Sequence, residues 1–214
     1  MSKMTEALER INLRLYGRFK ITKPGMSLEE IESRLSFFPY RLSDEAYEFY
    51  QWSGAPTGDS RPDDWNGSYN DSSTYNCALE RLLERADDII HFQSLEEMGK
   101  IYSPLNASNP EWLPIISAEY SHFVISGSQT QIDTSPVLII NDEPKLWFPS
   151  LTDMMLAIAE SIEATGTILP GWFDDPDDED YGTDTYGEKI REKCSIVKAI
   201  ARKYGSPEGV ILSS

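Results

Sequence analysis

Apolar residues recur every three to four positions at the start of the chain, where Met4, Leu8, Ile11 and Leu15 stand among polar neighbours and predict an amphipathic helix ahead of Gly17. Such a helix needs a surface to lie on. Pro24 and Gly25 then mark a turn, and Ser27 stands three residues before Glu30 in a capping box that opens a helix with Leu28, Ile31 and Leu35 on one face. A short connection, "FPYRL", leads into "RLSDEAYEFYQW", residues 41 to 52. Here Ser43 is placed to accept from the backbone donors of the next turn, and Leu42 to staple against Tyr47. Asp44 and Glu45 lie at the positive end of the helix dipole. Ala46, Tyr47 and Tyr50 share a face that Phe49 and Trp52 flank, and Gly54 supplies a stop. The two acids are read as solvated capping charges, because catalytic carboxylates usually need burial to raise their pKa.

The helical period then lapses. Residues 55–76, "APTGDSRPDDWNGSYNDSSTYN", are dense in turn formers and predict a long loop, with Trp65, Tyr69 and Tyr75 either facing a partner or folding back onto the core. "CALERLLERADDIIHF" predicts a short helix running into a strand, and Ser94 with Glu97 repeats the capping-box pattern. "WLPIIS", "SHFVISG", "SPVLIIND" and "KLWFP" follow as short β-rich runs broken by turn residues, the pattern of an antiparallel sheet. "SLTDMMLAIAESIEATG" restores the helical period, with Ser150 as cap, Asp153 three residues on, and Leu151, Met154, Met155, Ile158 and Ile162 on one stripe. Ile190, Cys194, Val197, Ala201 and Tyr204 line a terminal helix. The fold class is therefore α+β, an antiparallel sheet packed against several helices, with extra N- and C-terminal helices.

Composition narrows the function. With 214 residues the chain can bury a core without staples, and Cys77 and Cys194 are its only cysteines, so a reducing cytoplasm is expected. The longest apolar run is "PVLII", far short of a membrane span. Nineteen basic residues against 36 acidic ones give a net charge of −17 and a pI near 4.4, which disfavours direct nucleic-acid binding. The same charge either keeps the protein soluble or steers a basic partner onto it.

Motifs for chemistry are missing. The chain has no P-loop, no dinucleotide fingerprint after a strand, no H-E-x-x-H and no G-x-S-x-G. His91 and His122 each sit in an apolar strand-like run, which suits a core or edge histidine better than a base or ligand. Neither cysteine has neighbours that suggest a thiolate nucleophile or a zinc site. The expectation is no enzyme activity and no cofactor. One acidic run, "WFDDPDDEDYGTDTYGE", has three open readings: a solvated linker, a mimic of the phosphate chain that a basic nuclease surface expects, or a set of metal ligands. Read from Asp177 as a calcium loop it has Gly182 and Glu188 in place, but Tyr181 stands where a ligand belongs. Candidate partner-binding residues are Trp65 and Tyr69 in the long loop, and Trp172, Phe173, Asp174, Asp175, Asp177, Asp178, Glu179 and Asp180 in the acidic run.

"PGMSLEEIESRLSFFPYRLSDEAYEFYQWSG", "WLPIIS", "SPVLIIND" and "FPSLTDMMLAIAESIE", in that order, resemble the successive segments of the SUKH superfamily, which contains the fungal Smi/Knr cell-wall regulators and many bacterial proteins. The resemblance divides the chain into a packed N-terminal helix (1–23), a SUKH-like domain (24–165), and an acidic segment with a C-terminal helix (166–214). Within it Pro24, Gly25, Tyr47, Tyr50, Trp52, Trp112, Leu113 and Pro114 suit core or turn roles. It implies a non-enzymatic binding scaffold. Many bacterial members are held to be immunity proteins that neutralise polymorphic toxins, often nucleases, and fungal members act as interaction hubs. A basic toxin domain is the expected partner, with a regulatory scaffold not tied to a toxin as the alternative.

Overall fold

In the computed structural model of the chain, the described residues are 1–15, 25–53, 90–92, 95, 98–100, 102, 109–118, 121–140, 143–166 and 185–207. Among them are helices α1 (Lys3–Leu15), α2 (Leu28–Arg34) and α3 (Asp44–Ser53), strands β1 (Ile90–Phe92), β2 (Trp112–Ala118), β3 (Ser121–Ser126), β4 (Val137–Ile140) and β5 (Pro144–Phe148), and helices α4 (Leu151–Thr165) and α5 (Thr185–Lys203). The strands form one antiparallel sheet in the order β1-β2-β3-β4-β5, so the α+β expectation holds.

The sheet is a meander, each strand lying beside its neighbours in sequence. In β4, Val137 and Ile139 are buried while Leu138 and Ile140 are half-buried, the two-residue alternation of a sheet with one core face. β2 breaks that alternation. A register shift between Pro114 and Ile116 inserts one residue, and Ile115 and Ile116 are both buried as a result. Pro114, which lacks an N–H for the ladder, lies at this irregularity, where the lost donor is tolerated. Phe123, Ile125, Trp147 and Phe148 complete the core face, with the Phe123 and Trp147 rings 4.1 Å apart.

Helices cover this face, and α4 is the central one. It touches α1, α3, α5 and β5. The sequence predicts a single apolar stripe on α4, yet Leu156, Ala157 and Ala159 are buried too, because α1 and α5 pack against the flanks that a surface helix would leave wet. Met4, Ala7, Leu8 and Ile11 of α1 and Val197, Ile200 and Ala201 of α5 share one core with the sheet. Polar clasps close these terminal helices. Arg10 of α1 grips Glu163 of α4 through two bonds of 2.7 and 3.0 Å. Glu160 of α4 accepts from Lys203 at 2.6 and 2.8 Å and from the Tyr204 hydroxyl at 2.7 Å. Gly205, at φ 86°, ends α5 in the left-handed conformation that glycine adopts without strain.

The α2 capping box forms as the sequence predicts: the Ser27 hydroxyl accepts from Glu30 N, and Glu30 accepts from Ser27 N. Gly25 has a use beyond the turn. A Cβ there would overlap the Gln51 carbonyl, so only glycine lets this backbone approach α3. On α3 the buried apolar residues are Ala46, Phe49 and Tyr50, with Tyr47 half-buried at the edge. The face is rotated from the expected one because Leu42, Ala46, Phe49 and Tyr50 follow the helical period more closely.

Candidate functional site

Two corrections concern the start of α3. Ser43 does not cap it with its hydroxyl, which is buried and has no hydrogen-bond partner among the described residues. Its carbonyl accepts from Ala46 N and Tyr47 N, and the two earlier donors, Asp44 N and Glu45 N, reach the Ile132 and Asp133 carbonyls at 2.9 and 3.2 Å. A loop that approaches this closely displaces the side-chain cap. Glu45, expected in solvent, is only 5% exposed. Its Oε1 accepts from Ser135 N at 2.8 Å and Leu151 N at 3.0 Å, and its Oε2 from Thr152 N at 2.9 Å. Asp153 N donates to the Ser150 hydroxyl, so the orphan donors of the first three residues of α4, Leu151, Thr152 and Asp153, are all satisfied. The carboxylate of α3 is thus the cap of α4. It is a structural joint between α3, α4 and the loop before β4.

That joint positions an aromatic ledge. The α2–α3 connection pairs with the β3–β4 loop through two bonds of 2.9 Å between Arg41 and Ser128 backbones, and Gln131 donates to Asp44 at 2.7 Å and to the Leu42 carbonyl at 3.2 Å. Phe37, Phe38 and Tyr40 belong to this connection; Phe37 and Phe38 meet Tyr102, and Tyr40 packs on Phe38. The ring centroids of Phe37 and Phe38 lie 5.3 and 5.6 Å from that of Tyr102, and Phe38 lies 5.6 Å from Tyr40. These are attractive tilted and edge-on contacts. Gly127 makes room: a Cβ there would lie 2.5 Å from Phe38 Cζ and 2.7 Å from Tyr40 Cβ.

Phe38 anchors the ledge from the core, while Phe37, Tyr40 and Tyr102 are half-buried and keep part of each ring in water. The Tyr102 hydroxyl donates to the Pro110 carbonyl at 2.6 Å. Burial, then the nearby Tyr40 and Glu111, hold its phenol above the usual range. Arg41 and Lys100 are exposed on the neighbouring backbone. The arrangement offers fixed apolar faces with polar edges. That is the chemistry of a macromolecular contact, since rigid aromatic anchors lose little entropy on binding.

The sequence pattern marks "FPYRL" only as a short connection, although Phe37, Phe38 and Tyr40 place three rings within four residues. The residues nominated instead, Trp65, Tyr69, Trp172, Phe173, Asp174, Asp175, Asp177, Asp178, Glu179 and Asp180, all lie outside the described residues, as do Tyr75, Cys77 and the start of the calcium-like loop. Charge follows the same division. The described residues hold 16 of the 36 acidic and 13 of the 19 basic side chains, so most of the excess negative charge belongs to the remaining segments. Among the described residues, no group of three or more His, Cys, Asp or Glu is set to hold a metal ion, and no helix is long and apolar enough to cross a membrane. No protein-family model matches the chain, and no curated protein does.

Proposed function

We propose that this chain is a non-enzymatic protein-binding module of the SUKH superfamily, an immunity-type protein that binds and neutralises a basic toxin domain in the cytoplasm of the cell that makes it. The observation that carries the reading is the aromatic ledge, the half-buried rings of Phe37, Tyr40 and Tyr102 set around the buried Phe38 and held by a hydrogen-bonded joint. The ordered segments that resemble the superfamily support it, as does the net charge of −17. Acidic segments steer the basic partner, and the ledge excludes water at the contact. Inhibition is stoichiometric: one bound module blocks the toxin's cleft or shuts out its substrate.

The test is co-expression with the toxin-like product of an adjacent gene, read by cell survival and by gel filtration of the pair. Survival with a 1:1 complex is the expected result. Phe37→Ala and Tyr102→Ala should each weaken the complex about tenfold or more, as truncated aromatic hot spots do. Killing that continues, with no complex formed, overturns the pairing. Full affinity in both ledge variants overturns the assigned surface. A scaffold untied to a toxin would bind host proteins and leave survival unchanged.

A further inference from the structure

We propose that the aromatic ledge and the half-buried carboxylate of Glu111 together receive one arginine side chain of the basic partner, an inference that rests on the function proposed above and names what the ledge takes. The site begins with the tetrapeptide "NPEW", residues 109 to 112. Asparagine followed by proline favours a tight turn, and Trp112 N closes one on the Asn109 carbonyl at 3.2 Å, with Pro110 and Glu111 at its corner. Two bonds fasten that corner to the ledge. The Tyr102 hydroxyl donates to the Pro110 carbonyl at 2.6 Å, and Gly127 N donates to the Glu111 carbonyl at 2.7 Å. Gly127 is the residue whose missing Cβ leaves room for Phe38 and Tyr40. The corner is therefore tied to Tyr102 directly, and through Gly127 to Phe38 and Tyr40.

What this corner offers is suited to a cation. The Tyr102 hydroxyl has committed its proton to Pro110, so only the lone pairs of its oxygen remain to be offered. Glu111 adds a carboxylate, and among the described residues no basic side chain forms an ion pair with it. Burial first, then Tyr40 and Glu111, hold the Tyr102 phenol above its usual range, so the charge of Glu111 is felt at this hydroxyl. Aromatic faces carry the negative side of the ring quadrupole. A parallel stack would consume those faces, but Phe38 and Tyr102 meet at 87° and Phe37 and Tyr102 at 55°, so the rings do not cover one another face to face. Arginine suits this combination better than lysine. Its planar guanidinium stacks on a ring and at the same time sends a fork of N–H donors to a carboxylate. Arg41 and Lys100 are exposed on neighbouring backbone, where water and salt screen them, whereas the half-buried Glu111 is screened less.

The test titrates the full chain with a blocked peptide, acetyl-Gly-Arg-Gly-amide, with no toxin present. Aromatic 1H–13C and amide 1H–15N signals of Phe37, Phe38, Tyr40, Tyr102 and Glu111 should shift saturably, with millimolar affinity. The same peptide carrying citrulline, which keeps the shape of arginine and loses its charge, should bind about fivefold or more weakly. Glu111→Gln should weaken the arginine peptide about fivefold or more, and added salt should weaken it in the parent. No saturable shift at the ledge overturns the site, and so does citrulline that binds as well as arginine, which leaves an apolar contact only. A lysine peptide of equal affinity overturns the choice of arginine, and unchanged affinity in Glu111→Gln overturns the countercharge. The citrulline comparison needs only the unaltered chain, so a variant that fails to fold leaves the proposal decidable. A peptide that binds as expected beside an adjacent gene product that forms no complex refutes the toxin pairing and keeps the site. A complex that forms while the peptide gives no shift refutes the site and keeps the pairing.

Discussion

Removing the Glu45 carboxylate should be among the most damaging single changes available in this fold, although the neighbouring Asp44 looks equivalent in the sequence. Glu45→Ala strips the acceptor from three backbone donors, Ser135 N, Leu151 N and Thr152 N, at a site 5% exposed. Each buried donor left without a partner costs about 1–3 kcal/mol, and the lost charge also faces the positive end of the α4 dipole. Water entering the vacated volume recovers part of this, so the net cost is about 3–5 kcal/mol, a large share of the stability of an ordinary domain. Glu45→Gln keeps one oxygen for the Ser135 and Leu151 donors but can turn its amide N–H2 toward Thr152 N, a donor against a donor. It should cost about 2 kcal/mol. Asp44→Ala loses one exposed bond from Gln131 and should cost under about 1 kcal/mol. Urea unfolding followed by tryptophan fluorescence gives the three values with a common slope. A Glu45→Ala protein within 1 kcal/mol of the parent would refute the claim that this carboxylate caps α4.

Other outcomes follow from the same contacts. Gly127→Ala places its methyl against Phe38 and the Tyr40 Cβ, and should cost about 1–3 kcal/mol by overpacking while altering near-ultraviolet circular dichroism from the ledge. Arg10→Ala opens the partly exposed clasp to Glu163 and should cost about 0.5–1 kcal/mol, a difference that shrinks in high salt. Hydrogen bonding to Lys203 holds the Glu160 pKa below its ordinary 4.5, so its contribution is present above that value and is lost as pH falls through the folded pKa. Glu160→Gln should therefore flatten the acid limb of a stability–pH curve. Burial lowers the His122 pKa below 6.5, so the unfolded chain binds the proton more readily and stability falls as pH drops below that value; His122→Asn should remove this slope.

Helices and strands were readable wherever a local rule decides them. The α2 capping box, the Ser150 cap and the alternation of β4 each need only a few adjacent residues, and each is present. What the sequence misassigned depends on residues far along the chain. Ser43 loses its capping role to carbonyls at 132 and 133, and Glu45 is buried by donors from residues 135, 151 and 152. A first-turn acid on a free helix and one that caps a neighbouring helix have the same local signature. The ledge was hidden for the same reason: its fourth ring, Tyr102, and the gap at Gly127 join Phe37, Phe38 and Tyr40 only after folding. The spread of the α4 burial pattern beyond one stripe likewise required knowing that α1 and α5 both pack against it.

The clasp between Arg10 and Glu163 joins positions 153 residues apart, and α5 packs on the same helix. During synthesis, then, α1 meets α3 soon after it emerges, but its apolar stripe must wait through the whole sheet for α4, and α4 in turn stays half naked until α5 follows. A chain released before α5 would carry a greasy groove where Val197, Ile200 and Ala201 belong, the kind of surface that chaperones hold and proteases find.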